Sequence, residues 1–386
     1  MREVVIAGIG MTPVGEHWEI SLRSLAYRAI RAARQDAGGL QPEALYVGNF
    51  LAIDTSQQAN LACLIADNAG LSGIEAMTVE AADASGGAAF HLGFMAVASG
   101  LVDVALVVGV EKYTDALGPE QESAVAQAMD YDYEVMQGLT LTAQAALVMQ
   151  RYLYEYRPPR EAFAAFPLLA HANAVTNPYA MYRRAVKRET YEGAEIVADP
   201  LRLFDVAPYA DGAAAVLLTT PERARDLPHP LVAVRGSMGA IDTLALHDRP
   251  DPLAFEAAYH SLRRACEMAG IAPGEVDLFE LDDAYSIYAV LSLEAAGFAE
   301  RGQGWRLAEN DNLSLRGRLP ILTLGGSKAR GNPLGATGVY QVVEAALQLR
   351  GEAGANQVPR ARRALVQNLA GPAASAFTHV LERYTG

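Results

Sequence analysis

The chain has 386 residues, 51% of them hydrophobic, and carries a formal net charge of −14 at pH 7. That length supports a large core in two or three domain-sized units, and the acidic balance argues against a nucleic-acid binder. It holds no apolar run of about 18 residues that would span a membrane, and its two cysteines, Cys63 and Cys266, lack the spacing of a disulfide framework or a metal site. The N-terminus opens directly on a strand pattern, so no signal peptide is expected, and a reducing, cytoplasmic setting fits the cysteine usage.

In chain order, apolar runs alternate with helical periodicity. Val4–Ile9 reads as a strand, Leu22–Asp36 as an amphipathic helix, Ala44–Asn49 as a strand and Ala59–Asn68 as a helix. Ala76–Ala81 is then expected as a buried strand, followed by a helix opening at Asp83 and a strand at Val104–Val110. This alternation predicts an α/β fold with a mostly parallel or mixed sheet covered on both faces. From about Glu111 to Asp205 the rhythm breaks into Tyr-, Met- and Arg-rich sequence, a candidate cap of helices and loops inserted into the first half. Asp211–Thr219 returns to strand character.

The second half repeats the order. Leu231–Arg235 is a strand, Leu253–Gly270 a helix, Val276–Leu281 a strand, Ile287–Ala296 and Val339–Leu349 helices, and Ala364–Asn368 with Ser375–Leu381 a closing strand pair. The helix at 26–38 (AYRAIRAARQDAG) has a counterpart at 258–270 (AYHSLRRACEMAG). Each precedes a Pro-containing turn and a strand, which points to a duplicated half. The expected division is 1–225, including the cap at about 111–205, and 226–386.

The stretch Thr78–Gly93 (TVEAADASGGAAFHLG) is the centre of this plan. It puts Asp83 on a strand-to-helix turn, where free backbone N–H groups and the helix dipole favour negative charge. Ala84, Ser85, Gly86 and Gly87 leave room for close approach of another backbone or a ligand. A simple N-cap role for Asp83 is the competing reading.

The stretch resembles the nucleophile turn of the thiolase superfamily, in which Cys-X-Ser-Gly follows a strand and opens a buried helix. Among its branches the sterol-carrier-protein, lipid-transfer type is the best match, over essentially the whole chain. The resemblance implies a thiolase-like fold of two pseudo-repeated α/β halves with a mainly helical cap. It also implies coenzyme A as a substrate moiety rather than a tightly bound cofactor, and acyl-CoA as the small-molecule partner. A homodimer follows from it, and in some relatives an OB-fold partner protein.

Against the family motifs, Asp83 stands where the nucleophilic cysteine is expected. Asp282-Asp283-Ala284-Tyr285 stands for His-Asp-Ala-Phe, and Gly331-Asn332-Pro333 for Gly-His-Pro. Gln367-Asn368-Leu369-Ala370-Gly371 stands at the C-terminal turn, without a cysteine. The catalytic candidates are therefore Asp83, Asp282 and Asn332, with Tyr285, Gly371 and Ser85 as substrate or oxyanion contacts. Without a thiolate, Cys-dependent thiolysis is not expected. Two close carboxylates suit acid/base chemistry, because mutual repulsion raises one pKa, and Asn332 can donate a hydrogen bond to a carbonyl oxygen. The expected activity is C–C bond cleavage or formation on a CoA thioester. The alternative is a non-catalytic acyl-CoA-binding or scaffold subunit.

Two further segments are assigned to coenzyme A. Tyr182–Arg188 (YRRAVKR) is a basic cluster in an acidic protein; on a helix Arg184 and Arg188 would share one face, Arg183 and Lys187 another. Gly325–Gly338 (GGSKARGNPLGATG), with Ser327 and Lys328, is expected to let the pantetheine arm approach its backbone. A solvated helix face and tight helix packing are the structural alternatives. His91 is expected to be a packed histidine.

Overall fold

The computed structural model describes residues 1–385. The first half runs β1 (Val5–Met11), α1 (Leu22–Asp36), β2 (Ala44–Gly48), α2 (Ala52–Thr55), α3 (Leu61–Asn68), β3 (Glu75–Val79), α4 (Ser85–Ser99) and β4 (Val104–Glu111). The insertion contributes α5 (Pro119–Ala126), α6 (Leu141–Tyr156), α7 (Ala165–Ala174), α8 (Arg188–Glu192) and a small pair, β5 (Ile196–Ala198) with β6 (Leu201–Arg202). After β7 (Gly212–Thr219) and α9 (Pro221–Ala224), the second half runs β8 (Val232–Ile241), α10 (Glu256–Ala269), β9 (Leu278–Glu280) and α11 (Ser286–Ala295). It closes with α12 (Thr337–Arg350), β10 (Arg363–Ala370) and β11 (Ser375–Arg383).

The main sheet has nine strands in the order β3-β2-β4-β7-β1-β8-β11-β10-β9. β2 lies parallel to β3 and β4, and β10 parallel to β9; the pairs between β4 and β10 are antiparallel. The halves join through two residue pairs, Val5↔Ala233 and Ile6↔Val232. The similar helices have similar places: α1 packs on β1 and β7, and α10 on β8 and β11. Each is amphipathic and buries its apolar face, α1 through Leu22, Leu25, Ala26, Ala29, Ile30 and Ala33.

α4 and α12 differ, being buried nearly all round, and each contacts strands of both halves. They form the central layer around which the sheet folds. Their N-termini cross closely: a Cβ on Gly338 would lie 2.4 Å from the Gly87 nitrogen and 2.3 Å from Asn368 Oδ1. Only glycine allows that approach, and it brings the Asp83 turn beside the Asn332 turn.

The strand expected to be buried at Ala76–Ala81 is instead the sheet edge. β3 is only partly covered, and Met77 is 47% exposed. Its apolar composition is that of a strand with one neighbour, β2, and one open side.

Candidate active site

The turn entering α4 is built by its own side chains. Ala82 adopts φ +48°, a conformation uncommon for a non-glycine residue. It is held there by Ser85, whose hydroxyl donates to the Ala82 carbonyl (2.5 Å) and accepts from the Ala81 N–H (2.9 Å). Glu80 accepts the Ala82 N–H at 2.6 Å. Ser85 thus braces the turn, and both these bonds are made within it. The N-cap of α4 is Ala84, with no side-chain capping bond. Asp83 therefore does not cap the helix; it is 6% exposed, and its Oδ1 is buried with no hydrogen-bond partner.

Asp282, at the end of β9, faces it electrostatically from the other half. Burial pushes Asp83 up to about 7, the charge of Asp282 adds to this, and the Gly371 N–H opposes it. Asp282 rises to about 6, again chiefly by burial, with the Ala284 N–H opposing. Its oxygens are supplied with donors: Ala284 N–H at 3.0 Å, and at 3.4 Å both the Leu369 N–H and Asn368 Nδ2. Gly371, at φ +49°, lies in the turn between β10 and β11. Asp283 points elsewhere, accepting the N–H groups of Ser327 and Lys328.

Asn332 accepts from the Thr337 hydroxyl through Oδ1 (3.0 Å), which leaves Nδ2 as its donor end. Its carbonyl accepts from the Tyr113 hydroxyl at 2.8 Å, and its N–H donates to Pro208 at 3.0 Å. The Asp83 carboxylate lies within electrostatic reach of Tyr113, Tyr209, Tyr285 and Tyr288.

A cleft of about 660 Å³ leads toward this centre from the inserted segment. Its wall includes Val206, Ala207 and Pro208. The same segment bridges to Tyr285 through Val206, and Tyr209, which follows Pro208, bridges to Asn332. Tyr285 reaches the cleft-lining Thr142 (3.0 Å between hydroxyls), and the Tyr209 hydroxyl donates to the cleft-lining Glu122 (2.9 Å). Two phenols thus stand between the carboxylate pair and an otherwise largely apolar passage.

The expected basic helix is absent: residues 182–187 are irregular, and α8 begins only at Arg188. The segment is instead tied to the π-helical turn Gly326–Arg330, with the N–H groups of Met181 and Tyr182 donating to the carbonyls of Arg330 and Ala329 (3.0 Å each). Arg184 lines the cleft with Tyr182, His171 and Lys328. Arg183 and Lys187 are exposed off the cleft lining, and Arg188 lies 3.8 Å from Glu192 beside a different depression. Ser327 is buried. Lys328 donates to the Asp205 carbonyl (2.6 Å), and burial lowers it to about 8 against the pull of Asp283, Asp205 and Asp282. Cys63 is exposed on α3, and Cys266 is buried in α10 with its thiol pushed up to about 11 by burial; neither lines the cleft. His91 is packed on α4, its Nδ1 3.0 Å from the Ser237 hydroxyl.

Sequence reading missed Glu111, Tyr113 and Tyr209. The contacts that bring them here span 60 to 224 residues. A charged residue ending a fully apolar strand, Val104–Glu111, was the one visible sign.

Residues 4–222 match the family described as thiolase, N-terminal domain, and residues 239–383 match thiolase C-terminal domain-like. An acetyl-CoA acetyltransferase of Methanothermobacter thermautotrophicus is 42% identical, covering 99% of this chain and 100% of the relative. The benzoylsuccinyl-CoA thiolase subunit BbsB of Thauera aromatica is 30% identical, covering 96% and 95%. Sterol carrier protein 2 of Bos taurus is 28% identical over 78% of this chain and 58% of its own length. Among solved structures, an Ltp2-ChsH2(DUF35) aldolase superposes with a TM-score of 0.86 at 25% identity, covering 99% of this chain and 98% of that one.

Proposed function

The chain belongs to the thiolase superfamily as a member of the sterol-carrier-protein-like type, and on that premise we propose that it makes or breaks a C–C bond next to a CoA thioester by carboxylate acid/base catalysis. The observation that carries this reading is the buried pair Asp83 and Asp282, with unlike hydrogen-bond environments, set behind Tyr209 and Tyr285, whose hydroxyls bond to residues lining the cleft. Asp282, supplied with donors, is suited to stay ionised and act as the base. Asp83, with an orphaned oxygen, is suited to hold the proton and act as the acid.

In the cleavage direction Asp282 takes the proton of a β-hydroxyl group and the Cα–Cβ bond breaks. A carbonyl compound departs, and the electron pair moves into the thioester as an enolate. Asn332 Nδ2 donates to the enolate oxygen, and Asp83 delivers its proton to Cα. The products are a shortened acyl-CoA and an aldehyde or ketone; no electrons are gained or lost. Arg184 and Tyr182 at the cleft are assigned to the coenzyme, and Tyr285 and Gly371 border the reacting carbons. The solved relative named as an aldolase supports this chemistry.

The test is deuterium incorporation at the α-carbon of acetyl-CoA in D2O, followed by mass spectrometry, beside cleavage of 3-hydroxyacyl-CoAs. Both are expected for the wild type, and Asp83→Asn should lower each by about 10²-fold or more. The second reading is an acyl-CoA-binding subunit of an assembly with an OB-fold partner, favoured by the DUF35 component in that relative's name. Acyl-CoA binding with neither deuteration nor cleavage would replace the first reading by the second.

A further inference from the structure

Glu111 is wholly buried at the end of β4, yet makes no ion pair among the described residues and does not line the cleft. Four donors converge on it. Oε1 accepts from Asn49 Nδ2 (2.7 Å) and the Leu51 N–H (3.1 Å); Oε2 accepts from the N–H groups of Phe50 (2.9 Å) and Gly335 (3.1 Å). Burial pushes the Glu111 carboxyl up to about 8, the N–H groups of Phe50, Leu51 and Gly335 oppose this, and the charge of Asp83 adds to it; the clamp rests on the geometry, in which both oxygens accept and neither donates.

The two sides it joins flank the reacting centre. Phe50 packs against the cluster containing Ala82 and Ala84, the neighbours of Asp83. Gly335 closes the turn that carries Asn332, whose backbone is unusual at Gly331 (φ +106°) and Leu334 (φ +34°). A turn of that shape needs an outside acceptor to keep it in place. The fit is close, for a Cβ on Gly335 would lie 2.7 Å from Glu111 Oε2 and 2.8 Å from the Phe50 nitrogen.

We propose that Glu111 is a positioning residue that sets the Asn332 turn against the Asp83 turn by clamping residues 49–51 and Gly335 on one carboxylate. The catalytic part of this assignment rests on the reading that Asn332 holds the enolate oxygen; the clamp itself does not.

Glu111→Gln keeps the shape but turns an NH2 group toward two of the four donors. Gly335→Ala attacks the clamp from the other side with the carboxylate intact. Hydrogen exchange by mass spectrometry on the whole protein should show peptides over 49–51 and 331–335 losing protection together in both variants. Acetyl-CoA α-deuteration should fall about tenfold or more in rate, while the half-saturating acetyl-CoA concentration stays within about twofold, as expected for misplacement of a catalytic group. Unchanged exchange at 331–335 in both variants overturns the clamp, whether or not the wild type deuterates acetyl-CoA. If exchange changes but the rate of an active enzyme does not, the positioning role is overturned. A wild type that neither deuterates nor cleaves refutes the reaction assignment instead. Should Glu111→Gln fail to fold, Gly335→Ala decides by the same two readouts.

Discussion

Asp83 and Asp282 have the same side chain and nearly the same burial, and what separates them is the supply of donors. Raising a carboxyl pKa in the folded state has a thermodynamic sign. Between the ordinary Asp value of 3.8 and about 7, the native protein binds more protons at Asp83 than the unfolded chain does. Its contribution to stability therefore declines as pH rises through that window and stays unfavourable above it. Asp83→Asn removes the ionisation, so the variant should be more stable than the wild type at pH 8, on the order of a few kcal/mol, with a smaller gain at pH 5. Urea melts at the two values measure this. A variant less stable at pH 8 would mean that the carboxylate is satisfied as an ion.

Activity should follow a bell, rising as Asp282 ionises near 6 and falling as Asp83 loses its proton near 7. The roles also separate by substitution. Asp282→Asn should abolish cleavage of a 3-hydroxyacyl-CoA yet leave α-deuteration of acetyl-CoA measurable, because Asp83 still reaches Cα. Equal loss of both reactions would show that the pair does not divide the work in this way. These two aspartates and Asn332 stand out as candidates in the sequence because each sits on a motif turn. Glu111 does not, since a single side chain brought in from distant sequence leaves no local pattern.

At the scale of elements, legibility followed how much of the answer is local. Leu22–Asp36 carries a strong apolar stripe and a Ser21 cap, and α1 has those bounds. Ala76–Ala81 was misplaced as buried because apolar composition does not distinguish a central strand from an edge. The charge spacing of Tyr182–Arg188 suits a helix but has no apolar face to support one, and the backbone of Met181 and Tyr182 pairs with Arg330 and Ala329 instead. That pairing leaves Arg184 as the one cation of 182–188 that lines the cleft. Arg184→Glu should weaken acyl-CoA binding by about 1–3 kcal/mol, more at low salt than at high. Arg188→Glu, at a residue that already pairs with Glu192, should leave binding nearly unchanged. Calorimetric titration with acetyl-CoA at two salt concentrations separates them; equal losses would move the coenzyme onto the α8 side.

For the whole molecule the open question is how the free edge of the sheet is covered. β3 is paired on one side only, Met77 on it is 47% exposed, and α4, which packs on β3, exposes Met95 (41%). Unpaired strand edges beside apolar side chains favour association. A second copy joined through β3 would also bring the two Asp83 turns near one another, because that turn follows β3 directly. Each copy carries −14 at pH 7, so like charge opposes the pairing while edge hydrogen bonds and apolar contact drive it. The homodimer proposed here should therefore tighten as salt rises, since screening removes the repulsion and spares the contact. That trend is opposite to the one expected for acyl-CoA binding at Arg184. Light scattering across a salt series at micromolar concentration should show the dimer mass, with Met77→Asp shifting the balance toward monomer and most strongly at low salt. A monomeric mass at every salt concentration would leave β3 as an edge protected by its shortness, five residues, and by the charge of Glu75.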